Sequence, residues 1–264
     1  MTANPVTVEK ADRIAIVRFD RGDHANTLSF AIMRELSAVA QDLANDPDLC
    51  AVVLTGRMDN FCLGIDLKDE EVIKSASARL AERRVALKAG PRVCRAWEEL
   101  DPLTIVAIEG WCVGGGVALA VSCDLRIIGA GGHLYVPEVE RGFNMSWGSV
   151  PRITNLVGPA KTKRIVVLAE KLDATRAVDW GLADEVVPDG TALEIALKMA
   201  RRAASLPPNG VRLCKMAINA YANALNAAAS HADLDQFALT QNSEDCAEGL
   251  RAFMEKRAPV FTGR

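Results

Sequence analysis

Three consecutive glycines, Gly114-Gly115-Gly116, follow the segment Glu109-Gly110-Trp111-Cys112-Val113 and open the apolar stretch Val117-Ala118-Leu119. Glycine inside regular structure costs about 0.5–1 kcal/mol relative to alanine in lost backbone freedom, so three together at a helix start signal the close approach of something. Bare amides at such a start, with the positive end of the helix dipole behind them, bind an anion or a developing oxyanion. The plainer reading is a tight turn with close helix-to-strand packing. Two phosphate-binding readings fail on spacing: Gly110 and Gly114 do not fit GxGxxG, and no Lys-Ser/Thr follows the glycines as a P-loop requires. A second loop, Asp59-Asn60-Phe61-Cys62-Leu63-Gly64-Ile65-Asp66-Leu67-Lys68, also joins an apolar run to a helical segment, with Asp66 suited to cap that helix. Two such turns can converge their amides on one carbonyl oxygen, where removing one donor typically costs about 3–4 kcal/mol of transition-state stabilisation. A carbonyl polarised in this way needs a base beside its α-carbon.

Other chemistries find little support. His24, His133 and His231 are scattered and no GxSxG occurs, which argues against a serine hydrolase. The seven cysteines, Cys50, Cys62, Cys94, Cys112, Cys123, Cys214 and Cys246, form no CxxC pair and no Cys/His cluster, so buried thiols are expected rather than disulfides or a metal site. With 31 basic against 34 acidic residues the net charge is −3, without the basic footprint of a nucleic-acid binder. Leu103 to Cys123, the most apolar stretch, is interrupted by Glu109 and four glycines and does not read as a membrane span. Met1 to Lys10 lacks a basic segment followed by an apolar core, so no secretion signal is expected and a cytoplasmic location is the default.

The elements that must carry the two loops are legible from periodicity. Val6–Glu9 and Arg13–Phe19 alternate with period two around a turn at Ala11-Asp12, which predicts an opening hairpin. Ser29 is placed to cap a helix whose apolar face is Ile32, Met33, Leu36, Val39, Ala40 and Leu43. Three apolar runs, Cys50–Thr55, Leu103–Ile108 and Leu125–Ile128, read as strands buried on both faces, and the helical segments between them supply the cover, so the class is α/β. Leu67–Leu100, with little turn chemistry before Gly90-Pro91, reads as a solvent-exposed helical excursion that can wall a cleft. Thr175–Trp180 reads as a short helix ended by Gly181, and Glu185–Val187 as a last strand. Beyond Leu206-Pro207-Pro208-Asn209 the composition turns to helix formers, with candidates Val211–Leu225, His231–Gln241 and Glu244–Lys256. Residues 1–205 are therefore expected as the core domain and residues 206–264 as a helical region that packs on the core or on another subunit.

Phe61-Cys62-Leu63-Gly64-Ile65-Asp66-Leu67, Gly110-Trp111-Cys112-Val113-Gly114-Gly115-Gly116 and Cys123-Asp124-Leu125-Arg126 together resemble the crotonase (enoyl-CoA hydratase/isomerase) superfamily. The likeness extends through Arg21–Leu28, Val136–Gly142, Asp173–Pro188 and Phe253–Gly263 and so spans nearly the whole chain. It implies a crotonase-like spiral of ββα units with a C-terminal all-helical part, a coenzyme A thioester as substrate with no separate cofactor, and homotrimers or homohexamers. By position it implies oxyanion amides at Ile65 and Gly115. It further implies substrate contacts along His24, Ala25, Leu28, Leu63, Gly64, Asp66, Leu67, Gly114, Ala118 and Trp147, those of His24–Leu28 through the main chain alone.

The resemblance also bears on the reaction. Hydratases of this family hold a water between two glutamates, one located two residues past the last glycine of the triple and the other further on, after a proline. Glu138 follows Pro137 and fits the second position, whereas the first is Ala118. A methyl group neither orients nor deprotonates water. Glu138 alone suffices for an isomerase that moves a proton between the α and γ carbons, and an apolar setting would raise its pKa as such a base requires. Gly142-Phe143-Asn144-Met145-Ser146-Trp147-Gly148 departs from the glycine-rich turn of most relatives, with Trp147 shaping the acyl pocket or filling the core. Together with Trp111-Cys112, it also resembles the branch that hydrates and cleaves hydroxycinnamoyl-CoA, which is the alternative reading. A non-catalytic CoA-binding relative is the third. Arg21, Lys68, Lys215 and Lys256 are the cations positioned for the phosphates of CoA.

Overall fold

The structure, a computed structural model, describes residues 4–264. Its strands are β1 (Val6–Ala11), β2 (Ile14–Phe19), β3 (Ala51–Thr55), β4 (Leu103–Ile108), β5 (Trp111–Val113), β6 (Leu125–Gly129), β7 (His133–Tyr135), β8 (Leu172–Asp173) and β9 (Glu185–Val187). Six of them form one sheet in the order β1-β2-β3-β4-β6-β9, and β5, β7 and β8 form a second. The β1–β2 hairpin is antiparallel in the register Val6↔Phe19, and Asp12 and Arg13 turn it with φ of 50° and 68°. From β2 onward every pairing in the large sheet is parallel.

A parallel sheet needs cover on both faces, and the side-chain alternation supplies two cores. Val52, Leu54, Val106, Ile108 and Ile128 face a core shared with the helices α1 (Phe30–Ala44), α2 (Glu70–Ala76), α3 (Leu80–Ala86), α4 (Ala89–Glu98), α5 (Gly115–Ala120), α6 (Ser149–Thr162) and α7 (Ala174–Trp180). Ala51, Val53, Ile105, Ala107 and Ile127 face the other way, onto α8 (Ala192–Ala204). That helix presents Ala192, Ala196, Ala200 and Ala203, a stripe of small side chains at helical spacing that lets it lie close on the sheet. The path repeats: a strand in the large sheet, a strand in the small one, then a helix, as in β4–β5–α5 and β6–β7–α6. In the turn before these, Cys62 pairs with Cys112 beside β5 before the chain enters α2.

Ser29 caps α1 by accepting from the Ile32 amide at 3.2 Å, as its position predicts, and the expected face is buried except for the half-buried Val39. Three local expectations are corrected. Asp66 does not cap a helix; Asp69 does, accepting from the Glu71 amide, because the chain makes one more turn before α2 begins. Gly90-Pro91 does not interrupt the excursion either: both sit in the first turn of α4, where proline's missing N–H costs nothing. Nor is the excursion wholly solvent-exposed, since α4 buries Val93, Cys94 and Trp97.

The C-terminal region forms α9 (Pro208–Ala222), α10 (Asn226–Ser230), α11 (Asp233–Gln241) and α12 (Glu244–Glu255). Lys215 anchors α9 to the core: its buried ammonium lies 2.7 Å from the Asp124 carboxylate and donates to the Pro102 carbonyl at 2.8 Å. Its charge is thus consumed internally and is not free for a phosphate. The outward face of α9 leaves Leu213, Met216, Ile218 and Tyr221 exposed. Among the described residues no helix is long and apolar enough to cross a membrane.

Candidate active site

The two glycine-bearing loops are stitched together at the C-terminal ends of neighbouring strands. Phe61 N–H donates to the Glu109 carbonyl, Cys62 N–H to Trp111 and Val113 N–H back to Cys62, at 2.8–3.0 Å. On the other side of the first loop, Leu28 N–H donates to Gly64 C=O at 2.7 Å and Asp66 N–H to Leu28 C=O at 3.0 Å. With Gly64 and Asp66 both engaged toward Leu28, strand alternation turns the Ile65 N–H the other way. There it approaches the second loop, since a Cβ on Gly64 would stand 3.7 Å from the Gly115 nitrogen. Gly115 is the first residue of α5, so its amide has no intrahelical acceptor. Among the described residues neither the Ile65 nor the Gly115 amide has a backbone partner.

Beside them lies a largely apolar cavity of about 110 Å³ whose lining includes Ile65, Leu67, Gly115, Glu138 and Trp147. Glu138 begins a single 3-10 turn, Val139–Arg141, after β7. Among the described residues it is the one carboxylate lining the cavity, and its Oε2 is shielded from solvent with no hydrogen-bond partner there. Burial pushes its pKa up to about 7, against the smaller opposing pull of its own backbone amide and of Arg141. The carboxylate lies against Gly114, where a Cβ would come within 2.6 Å of Oε1. Gly114 has φ +52° and ψ −114°, a conformation essentially closed to residues with a side chain.

Ala118 is fully buried in α5 within the core, and the notional second carboxylate has no replacement at the cavity. Glu70 is exposed and paired with Lys74, Glu71 pairs with Arg34, and Glu140 accepts from the Tyr135 hydroxyl. Of the remaining sequence candidates Leu67 and Trp147 line the cavity, and His24, Ala25, Leu28, Leu63, Gly64 and Asp66 do not. Leu28 is buried, and Ala25 accepts from the Leu63 amide at 3.0 Å. Leu63 and the His24 side chain are exposed and line nothing, His24 being paired with Asp59. Asp66 is engaged by Arg21 at 2.6 Å; burial alone would raise its pKa, but Arg21 and the Lys68 amide together hold it below the usual carboxylate value.

Several contributors escaped the sequence reading. Asn26, fully buried with φ +42°, donates to the Phe19 and Phe61 carbonyls and accepts from the Arg21 amide, so it fixes the segment that presents Leu28. Its residue type and place between Phe19 and Leu28 were the available signal, because asparagine tolerates the left-handed region. From the C-terminal helices Phe237, edge to face with Phe143 at 5.3 Å, and Leu250 also line the cavity. Nothing in the local sequence ties those helices to this wall.

Two free amides converging beside one buried, proton-avid carboxylate in an apolar cavity can polarise a carbonyl and move a proton at its α-carbon. Comparison with known proteins identifies the family. The sequence model of the enoyl-CoA hydratase/isomerase family matches residues 9–264. A probable enoyl-CoA hydratase of Mycobacterium tuberculosis is 30% identical over 270 residues, covering 100% of both chains. A crotonyl-CoA hydratase of Syntrophomonas wolfei is 30% identical over 265 residues, again over 100% of each. Among solved structures, a carnitinyl-CoA hydratase from Mycobacterium avium superposes with a TM-score of 0.86 at 32% identity over 100% of both chains.

Proposed function

Because the chain belongs to the enoyl-CoA hydratase/isomerase family, we propose that it isomerises an enoyl-CoA thioester, using Glu138 as its single base. The thioester oxygen is held between the Ile65 and Gly115 amides. Glu138 as carboxylate takes a proton from C2 of a 3-enoyl-CoA, and the electron pair delocalises over the dienolate whose oxygen the two amides stabilise. The same carboxyl group then returns the proton to C4, and the double bond moves from C3 to C2. Coenzyme A leaves unchanged as part of the substrate, so the cycle calls for no separate cofactor.

The observation that carries this reading is the solitary carboxylate: Glu138 faces the cavity, and a buried methyl, Ala118, occupies the sequence position that the family resemblance assigns to the hydratases' first glutamate. A pKa of about 7 suits a group that must both accept and return a proton near neutrality. The relatives named above are described as hydratases, so the discriminating experiment compares 3-hexenoyl-CoA isomerisation with crotonyl-CoA hydration. Isomerisation should dominate and fall about 10²- to 10⁴-fold in Glu138→Gln; hydration as the faster reaction, or equal isomerisation rates in the two proteins, would refute the proposal.

A second reading, hydration and cleavage of an aromatic acyl-CoA, is favoured by the aromatic lining of Phe30, Phe143, Trp147 and Phe237. It requires aldehyde release from a hydroxycinnamoyl-CoA, and binding without aldehyde would eliminate it. A third, CoA binding without turnover, is rejected by any Glu138-dependent rate. The exposed apolar face of α9 supports a homotrimer or homohexamer, which light scattering would report as three or six times the 28.4 kDa chain mass.

A further inference from the structure

Trp147 is held in an unusual place by residues outside the cavity. A Cβ on Gly90 would lie 1.9 Å from Trp147 Cε2 and 2.3 Å from each of Cδ2 and Nε1. Only a point directly above the ring-fusion carbon satisfies all three distances, so the Gly90 backbone covers one face of the indole. A Cβ on Gly115 would lie 2.8 Å from Cη2 and from Cζ3, with no other ring atom as near as 3.6 Å, which places Gly115 at the outer edge of the six-membered ring. The indole is therefore wedged between the α4 backbone and one of the two free amides, half-buried and lining the cavity.

The backbone beneath it is strained. Trp147 has φ +60°, an outlier for a bulky residue, and Gly148 follows at φ +65°. Such a conformation persists only where its surroundings over-determine it. Here Arg152 donates from Nη1 to the Trp147 carbonyl at 2.9 Å, while the Gly148 amide donates to Asp233 Oδ2 at 2.8 Å. Arg152 is itself oriented by a bidentate pair to Glu98, both bonds 2.7 Å, and Arg152 and Asp233 are buried. Asp233 belongs to the first turn of α11, so the C-terminal region reaches into this turn.

We propose that Asp233, Arg152 and Glu98 form a positioning cluster for the Trp147 indole, and that the indole held there limits how far an acyl group extends past Gly115, selecting short acyl chains. The inference rests on the acyl-CoA reading given above. None of the three residues lines the cavity; they act through Trp147. Selectivity is thus set by a clamp on the main chain rather than by a side chain that substrate touches, and Gly90 is required because any larger residue would evict the ring.

The experiment measures dissociation constants of butyryl-CoA and octanoyl-CoA, saturated thioesters whose binding is independent of turnover, by calorimetry on the full chain. Trp147→Ala should shift the ratio toward octanoyl-CoA by at least about tenfold, the scale set by a few methylenes in an apolar pocket. Asp233→Ala should reproduce several-fold of that shift, Asp233→Asn, which keeps an acceptor for the Gly148 amide, should stay near wild type, and Asp233→Ala should add nothing once Trp147 is alanine. Arg152→Lys, which cannot bond Glu98 at two points and Trp147 together, supplies the same test if Asp233→Ala does not fold. An unchanged ratio in these clamp variants, or an equal shift with and without Trp147, overturns the inference alone. Failure of the wild type to bind either thioester overturns the acyl-CoA reading and the inference with it.

Discussion

Replacing Glu138 by glutamine separates catalysis from stability, because the carboxylate that the proposed reaction needs is one the fold resists ionising. Its pKa is raised from 4.5 to about 7 by burial. Between those values the folded protein binds more protons at this site than the unfolded chain, so stability falls as pH rises, and the loss is complete above about 7. At about 1.4 kcal/mol per pKa unit the full effect is about 3 kcal/mol, or roughly 5 °C in melting temperature for a chain of this size. Glutamine fills the same space without a charge. Glu138→Gln should therefore melt near the wild type at pH 4.5 and roughly 5 °C above it at pH 8, while wild-type kcat/KM rises with pH through about 7 as the base ionises. Calorimetric melting across pH 4.5–8 with matched initial rates checks both. Melting temperatures that stay parallel across that range would refute the claim that Glu138 is buried against its charge.

Three further outcomes follow from other contacts. Gly114→Ala puts a methyl 2.6 Å from Glu138 Oε1 on a backbone at φ +52°, and it should cost about 1–3 kcal/mol in chemical denaturation and depress kcat more than KM. Asn26→Ala strands the Phe19 and Phe61 carbonyls in the core, and about 2–4 kcal/mol should be lost in a urea titration, at about 1–2 for each orphaned group. Lys215→Ala leaves Asp124 without its buried partner; a loss of about 3–5 kcal/mol, with hydrogen exchange rising first in α9, is the expected result.

Much of this fold was legible because local rules and global packing agree. The apolar runs at Cys50–Thr55, Leu103–Ile108 and Leu125–Ile128 became central parallel strands, since only a strand covered on both faces tolerates such continuity. The glycine triple was readable for the same reason, being costly unless the backbone is approached. What did not show was structure decided at a distance. The strands Trp111–Val113, His133–Tyr135 and Leu172–Asp173 have two or three residues each, too short for any period to register. The helices Ser149–Thr162 and Ala192–Ala204 were not read at all, the first interrupted by Gly158-Pro159, the second although its buried alanines and charged residues fall on separate faces. Glu138 was recognisable through its family motif, but the depth of its burial depends on α11 and α12, a hundred residues later in the chain.

That dependence has a consequence for synthesis. The 3-10 turn carrying Glu138 is packed against α12, with the Arg141 guanidinium 3.3 Å over the ring of Phe253. A nascent chain lacking its last thirty or so residues lacks Phe237, Gln241, Cys246 and Leu250 of the cavity wall. The cavity is therefore walled only once the final two helices are in place against the turn that carries Glu138.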